Sequence, residues 1–394
     1  MRVPRLRSAI VSALACLALA LTAAGAPAPP GPAAPARIAV YVGTYTDAGS
    51  RGIYRFEFDP ATGAATAPTL AGEAENPSFL AVHPNGHALY AVNEIANFGG
   101  ARTGAVTAFA IQPGTGALTR LNQQPSGGAD PCHLAVDGAG RDVLVANYTS
   151  GTVAVLPLDP DGCLRPPSVV RQHAGTGPNR ARQEGPHAHE IVLDAAGAFA
   201  FAADLGADRI FSYRFGAASG SLEPSAPGSA ALPPGSGPRH LAWHPSGRLA
   251  YVIGELASTV TAFRYDAGRG ALDPFQTVTT LPAGFSGANT AAEVAVAADG
   301  RFLYASNRGD DSLAVFAIDG ASGALAPAGR VPTGGRTPRH FAFAGSGRWL
   351  LVANQDSDSV TIFRLDPATG RPSPVGRPLA ISRPVCVLPA APAR

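Results

Sequence analysis

The sequence contains no lysine: all 30 basic residues among its 394 are arginine. Methionine occurs once, tryptophan twice, and charged residues make up only 15% of the chain. The missing lysine accompanies a general bias toward Arg, Ala, Gly and Pro and carries no functional signal of its own. The formal net charge is +2, and Arg2, Arg5 and Arg7 sit at the extreme N-terminus, so the rest is close to neutral. A near-neutral chain without a basic stripe excludes a nucleic-acid partner.

Cysteine is also scarce. Cys16 lies near the N-terminus, which leaves Cys132, Cys163 and Cys386 in the body of the chain. An odd, widely spaced set excludes a disulfide framework, and the lack of any CxxC excludes a zinc ribbon or finger. Buried free thiols are expected. No GxSxG is present, which excludes a serine nucleophile on a strand-to-helix elbow. Beyond residues 9–24 no apolar run is long enough to span a bilayer, so no span is expected in the mature chain.

Residues 1–26 read as a signal peptide: arginines, then an apolar run, then small residues around Ala23–Ala26. Residues 27–36 read as a flexible Pro/Ala lead-in, and 37–394 as the folded domain. The protein is thus expected to be exported, periplasmic or extracellular; retention of the leader as a single anchor is the other reading.

What is abundant is glycine and proline, 46 and 37 residues, spread through a repeat. PCHLAVDGAGRDVLVANY from Pro131, PRHLAWHPSGRLAYVIGE from Pro238 and PRHFAFAGSGRWLLVANQ from Pro338 are copies of one strand–turn–strand unit. Further copies begin at Pro77, His187 and Ala291, at an interval of about fifty residues. Each is followed by an alternating stretch such as residues 152–158 or 359–365, expected to bury one face. The last copy is split. IAVYVGT from Ile38 and IYRFEF from Ile53 match the second and third strands of the repeat. Pro384–Pro389 supplies the missing first strand. The expected fold is therefore all-β: a seven-bladed β-propeller, its ring closed by pairing the C-terminal strand into the N-terminal blade.

In antiparallel blades the start of the first strand and the end of the second share one face. The first-strand column carries Cys132, His133, His189, Glu190, Arg239, His240, Glu293, Arg339 and His340; the second-strand ends carry Glu94, Tyr148, Leu205, Glu255, Arg308 and Gln355. Ionisable groups thus gather at one mouth of the channel, the expected ligand or catalytic site. His187 and His189 form an HxH pair that could ligate a metal with Glu190. Acid–base chemistry is the preferred reading, with no metal or other cofactor expected.

These residues resemble the lactonase family of seven-bladed propellers, which includes the propeller-type 6-phosphogluconolactonases. The motifs are YVGTYT at Tyr41, GIYRFEFDPATG at Gly52, NPSFLAVHPNGHALYAVNE at Asn76, GPHAHE at Gly185, the two PRH strand starts and SNRGDDSLAVF at Ser306. The resemblance implies hydrolysis of a small sugar-derived lactone. A lactonizing relative, carboxy-muconate lactonizing enzyme, implies a constellation of His187 or His189 with Arg239, Arg308 and Glu255. On this reading His189 or Glu255 is the base, and Arg308 or Arg239 stabilises the oxyanion. His187, Glu293, Arg339, His340, His133 and Glu94 orient the substrate. The expected partner is a small lactone or sugar acid, and the protein a monomer. Two rival readings stay open: a non-enzymatic exported propeller that binds a ligand or envelope partner, and metal-dependent hydrolysis.

Overall fold

The computed structural model describes Met1 and residues 37–390. The leader, the Pro/Ala lead-in and the last four residues fall outside the described residues, Met1 apart. The chain forms seven antiparallel four-stranded sheets, and one short 3-10 turn, Gln355–Ser357, is the only helical element among the described residues. Six sheets are built from consecutive strands. The remaining one joins Pro384–Ala390 to Ile38–Thr44, followed by Gly52–Phe58 and Thr69–Glu73. The C-terminal strand pairs antiparallel with the N-terminal one, Val387 opposite Val42. The ring therefore closes as the split repeat requires. Gly43 permits the chain leading into the next blade to pack close against this one, because a Cβ there would stand 2.2 Å from the Pro77 carbonyl. Blades are numbered here from the closure blade in chain order.

The apolar core is a set of seven seams, one between each pair of neighbouring blades. Middle strands face a seam on both sides. Ala88–Asn93, Asp142–Asn147 and Phe199–Asp204 are accordingly buried along their whole length. The expected one-sided burial of the third strands is corrected for the same reason: Thr152–Pro157 and Ser359–Leu365 are buried on nearly every residue. Alternation survives in the outer strand Val169–Gln172 and, among third strands, in Arg209–Gly216. Each buried large apolar side chain contributes about 1.5–3 kcal/mol.

A repeated latch links blade to blade. The hydroxyls of Tyr41, Tyr90, Tyr251 and Tyr304 donate to the carbonyls of Gly116, Gly162, Gly323 and Gly370 at 2.6–3.0 Å, each on an outer turn of the next blade. At the closure Trp349 replaces tyrosine, and its Nε1 donates to the Pro60 carbonyl at 2.8 Å. Cys132 and Cys386 are buried free thiols, whereas Cys163 is half-buried.

Candidate active site

Two features of the repeat aim side chains at the channel mouth. The first is the residue that ends each second strand. Asn93, Asn147 and Asn307 are buried, and their Nδ2 groups donate to the carbonyls of Glu75, Ser126 and Thr280. This pins the chain where it leaves the strand. The next residue then projects at the mouth: Glu94, Tyr148 and Arg308, with Glu255 following Gly254 in the equivalent place.

The second is a bulge at the start of the first strand. Pairing skips a residue between Pro131 and His133, Ala188 and Glu190, Pro238 and His240, and Pro338 and His340. The extra residues are Cys132, His189, Arg239 and Arg339. A bulge re-aims the side chain it carries. Cys132, His189 and Arg339 line the mouth cavity together with Tyr45, Glu94, Tyr148, Arg182, Glu255, Thr290 and Arg308. The cavity holds about 340 Å³.

Glu255 is the electrostatic centre. Its Oε1 lies 2.7 Å from Arg182 Nη2; its Oε2 lies 2.8 Å from Arg308 Nη2 and 3.2 Å from Arg239 Nε. Burial alone would raise this carboxyl, but Arg308, Arg239 and Arg182 outweigh it and hold it at about 2. Glu255 is thus ionised throughout the neutral range, which weighs against it as the base. Burial and the charges of Arg308 and Arg339 push the Arg239 guanidinium down to about 10, which leaves it protonated at neutral pH.

His189 is the one imidazole on the cavity wall, and its Nδ1 is buried without a hydrogen-bond partner. Burial, then the charges of Arg239, His240, Arg339 and Arg308, hold its pKa well below the ordinary histidine range. His187, by contrast, has both ring nitrogens engaged: Nδ1 with the Tyr148 carbonyl and Nε2 with Glu184, each at 3.1 Å. It stacks on Tyr148 at 4.6 Å, while His189 meets the same ring edge-on at 5.7 Å. The HxH pair thus packs on a tyrosine rather than converging on a common point. Among the described residues no group of three His, Cys, Asp or Glu side chains has metal-holding geometry.

His133, His340 and Glu293 are corrected in place. They belong to a second, deeper cluster with His240 and Glu190, and none lines the cavity. The cause is the bulge, since each follows a mouth residue, or its blade-six equivalent Ala292, and so takes the next position down the strand. His240 Nδ1 lies 2.9 Å from Glu293 Oε2, which is 3.5 Å from His340 Nε2. His133 Nε2 lies 3.7 Å from Glu190 Oε1 and its ring packs on Phe79 at 4.1 Å.

Across the mouth from Glu255, Tyr45 donates its hydroxyl to Glu94, 2.9 and 3.0 Å from the two carboxylate oxygens. The Arg339 guanidinium sits 5.3 Å from the Tyr45 ring centroid. Sequence reasoning named Glu94 and Arg339 but missed Tyr45, which follows Ile38–Thr44 in the place that Glu94 and Glu255 hold in their blades, and Thr290, one residue before the copy that begins at Ala291. It also missed Arg182, carried by the loop between Val169–Gln172 and Ala188–Leu193. That loop packs so tightly that a Cβ on Gly206 would stand 1.8 Å from the Gly185 carbonyl.

The closed seven-bladed ring thus gathers three guanidiniums, of Arg182, Arg308 and Arg339, and the His189 imidazole around one mouth. The family described as "Lactonase, 7-bladed beta-propeller" matches residues 39–389, and the chain belongs to it. It is thus a lactonase by class, a carboxylic ester hydrolase, which favours the enzymatic reading over the pure binding one. A 6-phosphogluconolactonase of Bacillus subtilis is 41% identical over 299 residues, 76% of this chain and 83% of that protein. One of Formosa agariphila is 32% identical over 315 residues, 76% of this chain and 84% of its own. The solved structure of a periplasmic gluconolactonase from Pseudomonas aeruginosa superposes with a TM-score of 0.84 at 37% identity, covering 90% of this chain and 99% of that one.

Proposed function

We propose that the protein hydrolyses a small sugar-derived lactone to its hydroxy acid at the channel mouth, acting as an exported monomer. The observation that carries this reading is His189: a neutral imidazole on the wall of a cavity surrounded by guanidiniums that Glu255 holds in place. His189 takes a proton from water as the water oxygen bonds to the lactone carbonyl carbon. The carbonyl oxygen becomes an oxyanion, held by Arg308 on the cavity wall, while Arg239, buried behind Glu255 and off that wall, adds its positive charge from a distance. The ring C–O bond then breaks, and the leaving alkoxide receives the proton from the imidazolium. The product is a hydroxy acid, whose carboxyl gives up its proton to solvent at neutral pH.

Glu255 does not act as the base, because a carboxyl at about 2 binds a proton too weakly at neutral pH. Its task is to orient three arginines. His187 supports Tyr148 from behind, and His133, His340 and Glu293 pack in the deeper cluster below the cavity. Export rests on the leader-like residues 1–26 and on the likeness to a periplasmic relative. The test follows acid release from a panel of aldonolactones by purified wild type and His189→Ala, with spontaneous opening subtracted. Wild-type rates no higher than the spontaneous rate would reject the proposal.

A further inference from the structure

The two halves of the mouth differ in charge. On the side of blades three to six, Arg182, Arg239 and Arg308 face the single carboxylate of Glu255. Such a surplus suits an oxyanion. On the side of blades seven, one and two, Arg339 and Glu94 stand one against one, with Tyr45 between them in sequence of contacts. No guanidinium lies within ion-pair distance of Glu94 among the described residues; its one hydrogen-bond donor there is the Tyr45 hydroxyl. A carboxylate ion has about four acceptor positions. Glu94 thus keeps free acceptor capacity toward the cavity, and Arg339 keeps free donors beside it.

We infer that this wall selects a lactone with an uncharged polyol tail and that Glu94 is the residue that rejects a phosphorylated one. The inference rests on the lactonase reading above. When the lactone carbonyl sits at Arg308, the far end of the molecule faces Tyr45, Glu94 and Arg339. A hydroxyl there donates to Glu94 and accepts from Arg339, and both protein groups are satisfied. A phosphate dianion in the same place has no proton to give Glu94 and lies against its negative charge. Like charges brought together in a desolvated site cost several kcal/mol. Arg339 alone does not remove that penalty, because Glu94 already draws on its charge.

The test compares kcat/KM for glucono-δ-lactone and its 6-phosphate in wild type, Glu94→Gln and Tyr45→Phe, each checked for a cooperative thermal transition. The wild type is expected to prefer the neutral lactone. Glu94→Gln removes the charge at constant shape and is expected to move the preference toward the phosphate ester by about tenfold or more. Tyr45→Phe loosens Glu94 without removing its charge, so it is expected to lower turnover of the neutral lactone while the phosphate ester stays rejected. A wild type that prefers the phosphate ester, or a Glu94→Gln variant that slows both lactones equally, would overturn the inference and leave the lactonase reading standing. A wild type inactive on both would overturn the two together.

Discussion

Arg182 Nη2 lies 2.7 Å from Glu255 Oε1, and through this contact a surface loop reaches into the centre of the ring. The same Arg182 nitrogen reaches the Tyr148 hydroxyl at 3.1 Å. Glu255 is buried, whereas the Arg182 side chain is 40% exposed. The loop residue is therefore the replaceable partner and the carboxylate the fixed one. Glu255→Gln leaves Arg239 and Arg308 buried without a counter-charge. We expect kcat to fall by about 10²–10³ and the melting temperature to drop, because removing one partner of a buried ion pair costs roughly 3–5 kcal/mol. Arg182→Ala is expected to lower kcat/KM with little change in melting temperature. Steady-state kinetics and calorimetry on both variants separate the two effects.

His189→Ala is expected to lower kcat by about 10²–10⁴ with a small change in KM, the usual yield of one general base. The pH profile gives a finer check. The depressed pKa keeps the free-enzyme imidazole neutral to well below the ordinary histidine range. The kcat/KM profile is therefore expected to stay level from pH 8 to below pH 6, with no inflection near the ~6.5 of an unperturbed histidine. An inflection at that ordinary value would show that another group, or a solvated His189, is the base.

The ring itself was legible because it repeats. Seven imperfect copies of one phrase, one of them split between the chain ends, left little choice of architecture. The site was legible only in part. Its column positions follow from strand direction, so Glu94, Glu255, Arg308 and Arg339 were placed at the mouth from sequence. The split between His189 and its neighbours was not legible, because it depends on a one-residue bulge. Without the bulge, adjacent residues such as Arg339 and His340 look equivalent. Arg182 carried no signal at all, since it lies in a connection between blades, and only the folded loop brings it to Glu255.

Acid should loosen the fold from within. Burial first, with neighbouring charges, depresses His133, His189 and His240 well below the ordinary value and His340 to about 4. In the unfolded chain these side chains titrate near ~6.5. Below that pH the unfolded state binds protons that the folded state refuses, so stability falls as pH falls. Glu190 and Glu293 are raised, chiefly by burial, and act with the opposite sign: the folded state takes their protons earlier. Four histidines outweigh two glutamates. We expect the melting temperature to fall by several degrees between pH 7 and pH 5, measured by calorimetry. His133→Gln is expected to flatten that slope, and an unchanged slope would remove His133 from the cause.

Closure of the ring concentrates on Trp349. Its indole is buried, packs edge-on against Phe58 at 5.6 Å and donates to the Pro60 carbonyl, so the last blade is tied to the first both by a seam and by a latch. A tyrosine latch elsewhere contributes about 1 kcal/mol from its hydrogen bond. Trp349→Ala removes the latch and opens a cavity in the closing seam, which together cost about 3–5 kcal/mol. Trp349→Phe keeps most of the volume and loses the donor, so its cost is expected to be clearly smaller. Deleting residues 384–394 goes further, because it strips the Pro384–Ala390 strand and leaves Ile38–Thr44 with an unpaired edge and its apolar face open. Such an edge recruits other chains. The truncated protein is expected to aggregate, and size-exclusion chromatography showing a folded monomer of normal melting temperature would mean that the C-terminal strand is dispensable to the ring.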